Sequence, residues 1–378
     1  MRKYFTPLLV IALFAAFLAA APGCKREWLP PTLYKDSTLV AGSDSAGYVN
    51  GAGNIARFDH PFGITIDQSG NLYVADQGNS LIRKITPANI VSTYAGIYTV
   101  MGETNGPDSL SSFRGPFGVA ADGSGNIYVA DAGNNVVRLI SPAGVVSTFA
   151  GTGVPGSADG TDTATFNSPM GVAADQAGNL YVADYENHQV RKITSAGVVS
   201  TIAGKAGVSG FSDGVDTAAR FNLPEAIAVD AAGNIYVADA GNNAIRKIAT
   251  DGTVTTLAGS GSRGNTNGTG KSASFNSPFG IAVDAAGNVY VADSGNNLIR
   301  KITPGGAVST FAGSGLRGAG NGAGTSSAFN TPAGLAIDAT GNIYVSDESN
   351  NQIREITPSG TVTTFASKNL RIAVKFRK

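Results

Sequence analysis

One motif is written six times along this 378-residue chain, and its period limits the fold more than any other feature. The cleanest copy is residues 277–313, SPFGIAVDAAGNVYVADSGNNLIRKITPGGAVSTFAG. The Asp that closes its YVAD core recurs as Asp76, Asp131, Asp184, Asp239, Asp293 and Asp347, at steps of 55, 53, 55, 54 and 54 residues. A fixed step of this length marks repeated supersecondary units, each too small to bury its own apolar faces.

Within a copy, Gly280–Asp284 and Val289–Asp293 are apolar runs of strand length and too short for helices. Leu298–Thr303 and Ala307–Ala312 follow, rich in β-branched residues. Ala285-Ala286-Gly287-Asn288 and Pro304-Gly305-Gly306 are turn signals between them. Each copy therefore reads as a four-stranded antiparallel meander. In Leu72-Tyr73-Val74-Ala75 both alternating sets are apolar, so the strand needs cover on both faces. Six such sheets set radially cover one another. The expected fold is all-β, a six-bladed β-propeller over residues 38–367.

The strings Pro-x-Gly-[Ile/Val]-Ala-x-Asp, Gly-Asn-x-Tyr-Val-Ala-Asp, Asn-x-x-Ile-Arg-Lys-Ile and Val-Ser-Thr-x-Ala-Gly resemble the NHL repeat. The family's Asn-His-Leu is approximated by Asn187-His188-Gln189 and Asn296-Asn297-Leu298. The resemblance implies the propeller and leaves activity open, because one such fold hosts many functions.

Ahead of the repeats, Arg2 and Lys3 precede an apolar run from Leu8 to Ala21 and then Pro22-Gly23-Cys24. That reads as an export signal over residues 1–23. Cys24, the only cysteine, stands where a bacterial lipoprotein carries its lipid, although Ala21 and Pro22 depart from the usual pattern. The competing cut after Ala21 would put Pro22 next, which ordinary signal peptidase accepts poorly. A lipid anchor on Cys24 in the bacterial cell envelope is the expectation, with simple secretion as the alternative. Residues 24–37 then form a tether. Thr38–Gly42 matches the last strand of a repeat without the other three and is expected beside the sixth blade. Residues 368–378 are a basic tail or an extra strand.

Charge narrows the partners. The chain carries 27 basic and 27 acidic side chains. Without the leader and the basic tail the body holds 20 basic against 27 acidic, about −7. An acidic body lacks the footprint of a nucleic-acid binder. The expected partner is an extracellular or periplasmic protein, peptide or glycan, met by a monomer.

Repeats supply an internal control: what all six share serves the scaffold, and what one blade changes is free for a task. Arg83, Arg138, Arg191, Arg246, Arg300 and Arg354 recur with the YVAD aspartates and read as blade braces rather than as an anion ring. Long Gly-rich connections such as Gly204–Pro224 share a face with the turns after YVAD, which marks that face for binding. The residues after each opening proline are Phe62, Phe117, Met170, Glu225, Phe279 and Ala333. Glu225 is the outlier, and Ala226 replaces the Gly of the other five. Blade three reads Tyr185-Glu186-Asn187-His188 where others read like Ala240-Gly241-Asn242-Asn243. Tyr185, Glu186 and Glu225 are therefore expected to form one acidic patch. Asp159 with Asp162 and Asp213 with Asp216 add paired carboxylates of the kind that can bind Ca²⁺.

Of the two histidines, His188 falls on the family's own His and reads as structural, while His60 is a candidate ligand-binding residue. The resemblance also implies how NHL-type lyases work, with a zinc on three histidines, which this chain does not have. No catalytic set, metal set or cofactor motif is found. Two readings follow: a non-catalytic scaffold that presents its loop face to a ligand, or a metal-dependent hydrolase or lyase centred on Glu225 at the channel mouth.

Overall fold

All five residues of Leu72–Asp76 are buried, and the same holds for the equivalent strand of every repeat, through Ile343–Asp347. A strand with no wet face must lie between two other sheets. The computed structural model, which describes residues 45–365, meets that demand with six antiparallel sheets set side by side in a ring. Residues 1–44 and 366–378 lie outside the described residues, and with them the leader, Cys24, the tether, Thr38–Gly42 and the basic tail.

The first blade runs outward from Pro61–Ile66 through Leu72–Asp76 and Leu81–Ile85 to Ile90–Ala95. The sixth does the same with Pro332–Ile337, Ile343–Asp347, Gln352–Ile356 and Thr361–Thr364. Five blades add a two-residue fifth strand, drawn from the Gly-rich connections. In the sixth blade it is Gly322–Ala323, paired with Val362 and Thr361. The blade's own connection thus pairs with its outer strand, while the expectation for Thr38–Gly42 falls on residues outside those described. Every described blade is a continuous stretch of chain.

Between blades lie apolar layers that draw on both neighbours. Tyr236, Ala238 and Ile245 of blade four pack with Ile281, Val289 and Val291 of blade five. Fully burying each aliphatic side chain contributes about 1.5–3 kcal/mol. Toward the axis the blades approach backbone to backbone: a Cβ on Gly63 would collide with the carbonyl oxygen of Phe117, and one on Gly334 with that of Phe62. At the five glycine positions only a residue without a side chain fits. Ala226 occupies this place in blade four and faces blade five, in the layer described above.

The shared Arg and Asp hold each connection to its blade. Six guanidinium groups, all fully buried, meet the YVAD carboxylates at 2.6–3.0 Å. In each, Nη2 donates to a side chain of the entering loop at 2.6–2.9 Å: Asn50, Asn105, Asp159, Asp213, Asn267 or Asn321. Each guanidinium also lies 5.1–5.3 Å from the ring centroid of a buried Phe, from Phe58 to Phe329. The carboxylate's other oxygen accepts a backbone N–H from the same loop, as Asp293 does from Asn276 at 2.8 Å. Burial pushes Asp76 up to about 6, against the pull of Arg83, so it remains ionised at neutral pH.

This clamp answers two expectations. The recurring arginines brace the scaffold, as their repetition implied. Asp159 and Asp213 are spent on Arg191 and Arg246 at 2.6 and 2.8 Å, the places that Asn fills in the other blades, so neither Asp-Gly-x-Asp pair stands free for Ca²⁺.

Removing one partner strands a buried charge. Arg300→Ala is expected to cost about 3–5 kcal/mol in urea unfolding. A loss under about 1 kcal/mol, the scale of one ordinary hydrogen bond, would show that the clamp is not what secures the loop.

Candidate ligand-binding face

The turns after YVAD and the long connections emerge on one face, as the meander requires. Each turn is a three-residue 3-10 segment closed by a left-handed residue: Ser80, Asn135, His188, Asn243, Asn297 or Asn351, with φ between 49° and 57°. Asn tolerates that conformation and carries an acceptor. Its Oδ1 takes the backbone N–H of the residue before the next blade's opening proline, at 2.9–3.0 Å: Asn135 to Ser168, Asn243 to Ser277, Asn297 to Thr331 and Asn351 to His60. The last of these joins blade six to blade one and closes the ring.

His188 does the same work with Nδ1, which accepts from the Leu223 N–H at 3.1 Å. That fixes the proton of the neutral ring on Nε2. Burial lowers its tendency to protonate, against an opposing pull from Glu186. His188 is therefore structural, as its position in the motif implied.

His60 is placed away from the other candidates. It sits at the blade six to blade one seam, half exposed, with Nδ1 2.7 Å from Asp59 and Nε2 3.6 Å from Glu348. Its backbone takes φ 50°, as Ser168, Leu223, Ser277 and Thr331 do at equivalent positions. The repeat explains its backbone, and the structure does not bring its ring to Glu225.

Tyr185, Glu186 and Glu225 do come together across the blade three to blade four seam. The Tyr185 hydroxyl is pushed up by burial and then by the charges of Glu225 and Glu186. Glu225 is 6% exposed and lines the axial channel with Phe62, Met170, Phe279 and Ala333. The channel space is roughly 230 Å³, and below the mouth it is walled by Ile64, Val119, Val172, Ile227, Ile281 and Leu335. Phe62 meets Phe117 edge to face at 4.6 Å and approaches Phe279 at 5.9 Å, so three rings gather at the mouth. No hydrogen bond or ion pair reaches the Glu225 carboxyl from any described residue, and burial pushes it up to about 8. Among the described residues no three His, Cys, Asp or Glu side chains converge in a way that could hold a metal ion.

A second feature of this face was missed in the sequence. The connection into blade two reads Gly96-Ile-Tyr-Thr-Val-Met-Gly102, where other connections read Gly259-Ser-Gly-Ser-Arg-Gly264 or Gly313-Ser-Gly-Leu-Arg-Gly318. Its Tyr98, Val100 and Met101 are exposed, Met101 at 68%. The Tyr98 ring stacks on the exposed Tyr48 at 3.5 Å. Met101 lines a shallow depression with Arg114, Phe117, Ser168 and Met170. Because Met170 also lines the channel mouth, the apolar patch and Glu225 belong to one continuous surface. Aligning the connections blade by blade exposes this outlier, just as aligning the opening prolines exposed Glu225.

Four segments, residues 166–193, 221–248, 275–302 and 329–356, match the NHL repeat model. Each begins at a clamp phenylalanine and ends at the last isoleucine of a third strand. These are NHL repeats. The first two blades carry the same clamp at Phe58 with Arg83 and at Phe113 with Arg138. The chain is 31% identical over 352 residues to NHL repeat-containing protein 2 of Bos taurus, covering 81% of this chain and 47% of that one. The chain spans under half the length of the curated relatives with which most of it aligns. Among solved structures it is similar to an auxiliary nutrient binding protein of Bacteroides thetaiotaomicron (TM-score 0.64, 18% identity, 86% of this chain and 76% of that one). It also resembles a streptogramin B lyase (TM-score 0.54, 16% identity, 83% and 85%). At these identities the solved structures share the fold alone.

The buried Glu225 sets a pH dependence. Its folded value, about 8, lies above its ordinary 4.5, so its contribution to stability is whole below 4.5 and is lost as pH rises through 8. Glu225→Gln is expected to melt with wild type at pH 4.5 and several degrees higher at pH 9. Parallel melting curves across that range would refute the buried, unpaired state.

Proposed function

We propose that this NHL propeller is a non-catalytic binding protein whose loop face presents the Tyr48–Tyr98 stack, Met101 and the channel mouth to an extended ligand, a peptide or a glycan. One observation carries the reading: the only connection that replaces glycine with tyrosine, valine and methionine leaves them exposed beside the mouth. Exposed rings and apolar side chains of this kind are a recurrent means of gripping sugars and peptides. The structural neighbour described as a nutrient binding protein supports a binding role for such a propeller. A metal-dependent hydrolase would need further ligands beside Glu225, and the structure gives no observation in favour of one.

The proposed setting is the bacterial cell envelope, with the chain exported and held by a lipid on Cys24 and the acidic body facing outward as a monomer. Cells fed an alkynyl fatty acid are expected to label the wild-type chain and not Cys24→Ala; equal labelling would remove the anchor from this proposal.

The ligand reading is tested on glycan and peptide arrays. Tyr98→Ser combined with Met101→Ser, both remote from the clamps, is expected to fold as wild type and to bind the captured ligand at least about tenfold more weakly, the loss of about 1.4 kcal/mol or more. Unchanged binding by the double variant would move the site off this surface.

A further inference from the structure

We propose that the channel mouth is a site for one primary ammonium group carried on an alkyl chain, with the Glu225 carboxylate as its counter-charge and the Phe62 and Phe279 rings and Met170 as its apolar walls. The proposal deepens the binding reading above and rests on it.

Three observations meet at this point. Glu225 is buried to 6% exposure, lines the channel, and has neither a hydrogen bond nor an ion pair from any described residue. A buried carboxyl without a partner costs free energy that a folded chain ordinarily avoids, so the position asks for a donor from outside. Second, the groups nearest it sharpen the sign of that donor. The Tyr185 hydroxyl lies within electrostatic reach of both Glu225 and Glu186, so two carboxyl groups gather about one ring. Once Glu225 is ionised, an anion or a sugar hydroxyl acting as acceptor meets repulsion there, whereas a cation relieves it. Third, the remaining walls are rings and a thioether: Phe62, Phe279 and Met170, with Ala333 opening room between Phe62 and Phe279. Aromatic faces attract a desolvated cation and cover the methylenes behind it. A metal ion is a poorer fit, since Phe and Met side chains supply no oxygen ligands.

Glu225 is also unique to its blade. The other five mouth residues are Phe62, Phe117, Met170, Phe279 and Ala333, so the site exists once per molecule. The clamps and seam bonds do not use it, which leaves its carboxyl free for a ligand. Two sources carry the required chemistry, a free alkylamine and the lysine side chain of a peptide.

The test is a thermal-shift titration at pH 8.5, where an alkylammonium is still charged. The probes are n-butylammonium chloride, n-butanol and sodium chloride at equal concentration. Wild type is expected to show a saturable rise in melting temperature with n-butylammonium and with neither control, because a ligand of the native state alone stabilises it. Glu225→Gln, shown by circular dichroism to be folded, is expected to weaken that response at least tenfold. No rise in wild type, or an equal rise in both proteins, overturns the proposal. A pentapeptide with one lysine that competes with n-butylammonium, and loses competition on Nε-acetylation, would identify a protein side chain as the source; failure to compete would identify a small amine. The array experiment with the Tyr98 and Met101 variant does not involve Glu225, so a null result with amines leaves the wider binding reading standing.

Discussion

The Arg–Asp clamp is the constraint on which the rest of the ring depends. Each propeller blade must leave its outer edge and return to the axis through some twenty residues of connection, as in Gly204–Pro224, and this stretch is mostly too polar and too Gly-rich to pack by itself. The guanidinium solves this by reaching from the third strand into the connection. It binds two backbone carbonyls, as Arg138 does at Ser112 and Thr104, and a side chain at Asn105, and covers the Phe113 ring. Burying an ion pair is a poor route to raw stability. Its value here is geometric: a flat fork of donors admits only one path for the loop. That single path is what makes the loop face a defined surface rather than a set of loose ends.

The far face is fixed by a different device. In each inner hairpin an Asp, such as Asp67, accepts the N–H groups of the residues two and four further on, here Ser69 and Asn71, and its second oxygen holds the Asn71 amide and, in every blade but the fifth, a tyrosine hydroxyl, here that of Tyr73. The Gly-Asn-x-Tyr string is the sequence trace of that closed network. Both faces therefore spend their repeated polar residues on backbone groups. What is left over for chemistry is small and confined to positions where one blade differs from its neighbours.

This explains which parts of the molecule were legible in the sequence. The ring, the strand order and the bracing role of Arg and Asp were legible because each appears six times and each has one job. The clamp phenylalanines were not. Phe58, Phe113 and their equivalents sit inside stretches read as loops, and their burial depends on a guanidinium more than twenty residues away in sequence. The seam bonds were hidden for a related reason: an Asn in a turn is accounted for by its own backbone, and nothing local reveals that Asn135 also serves Ser168. Glu225 was visible as an exception, yet that it lacks any partner is a statement about what surrounds it. The Tyr48–Tyr98 stack joins two connections some fifty residues apart, and only their shared face brings them into contact.

The seam bonds carry an implication for how such a ring can be assembled. The contact that joins the last blade to the first, Asn351 to His60, is the same hydrogen bond with the same left-handed Asn that joins blades two and three or four and five. No strand among the described residues crosses from one end of the chain to complete a blade at the other. Among these residues the terminal seam is held by the same kind of bond as the internal seams that carry Asn. In thermodynamic terms, breaking this bond at the terminal seam forfeits about what breaking its counterpart at an internal Asn seam does. A gene that lost, gained or rotated the starting point of whole repeats would still encode intact blades with compatible rims.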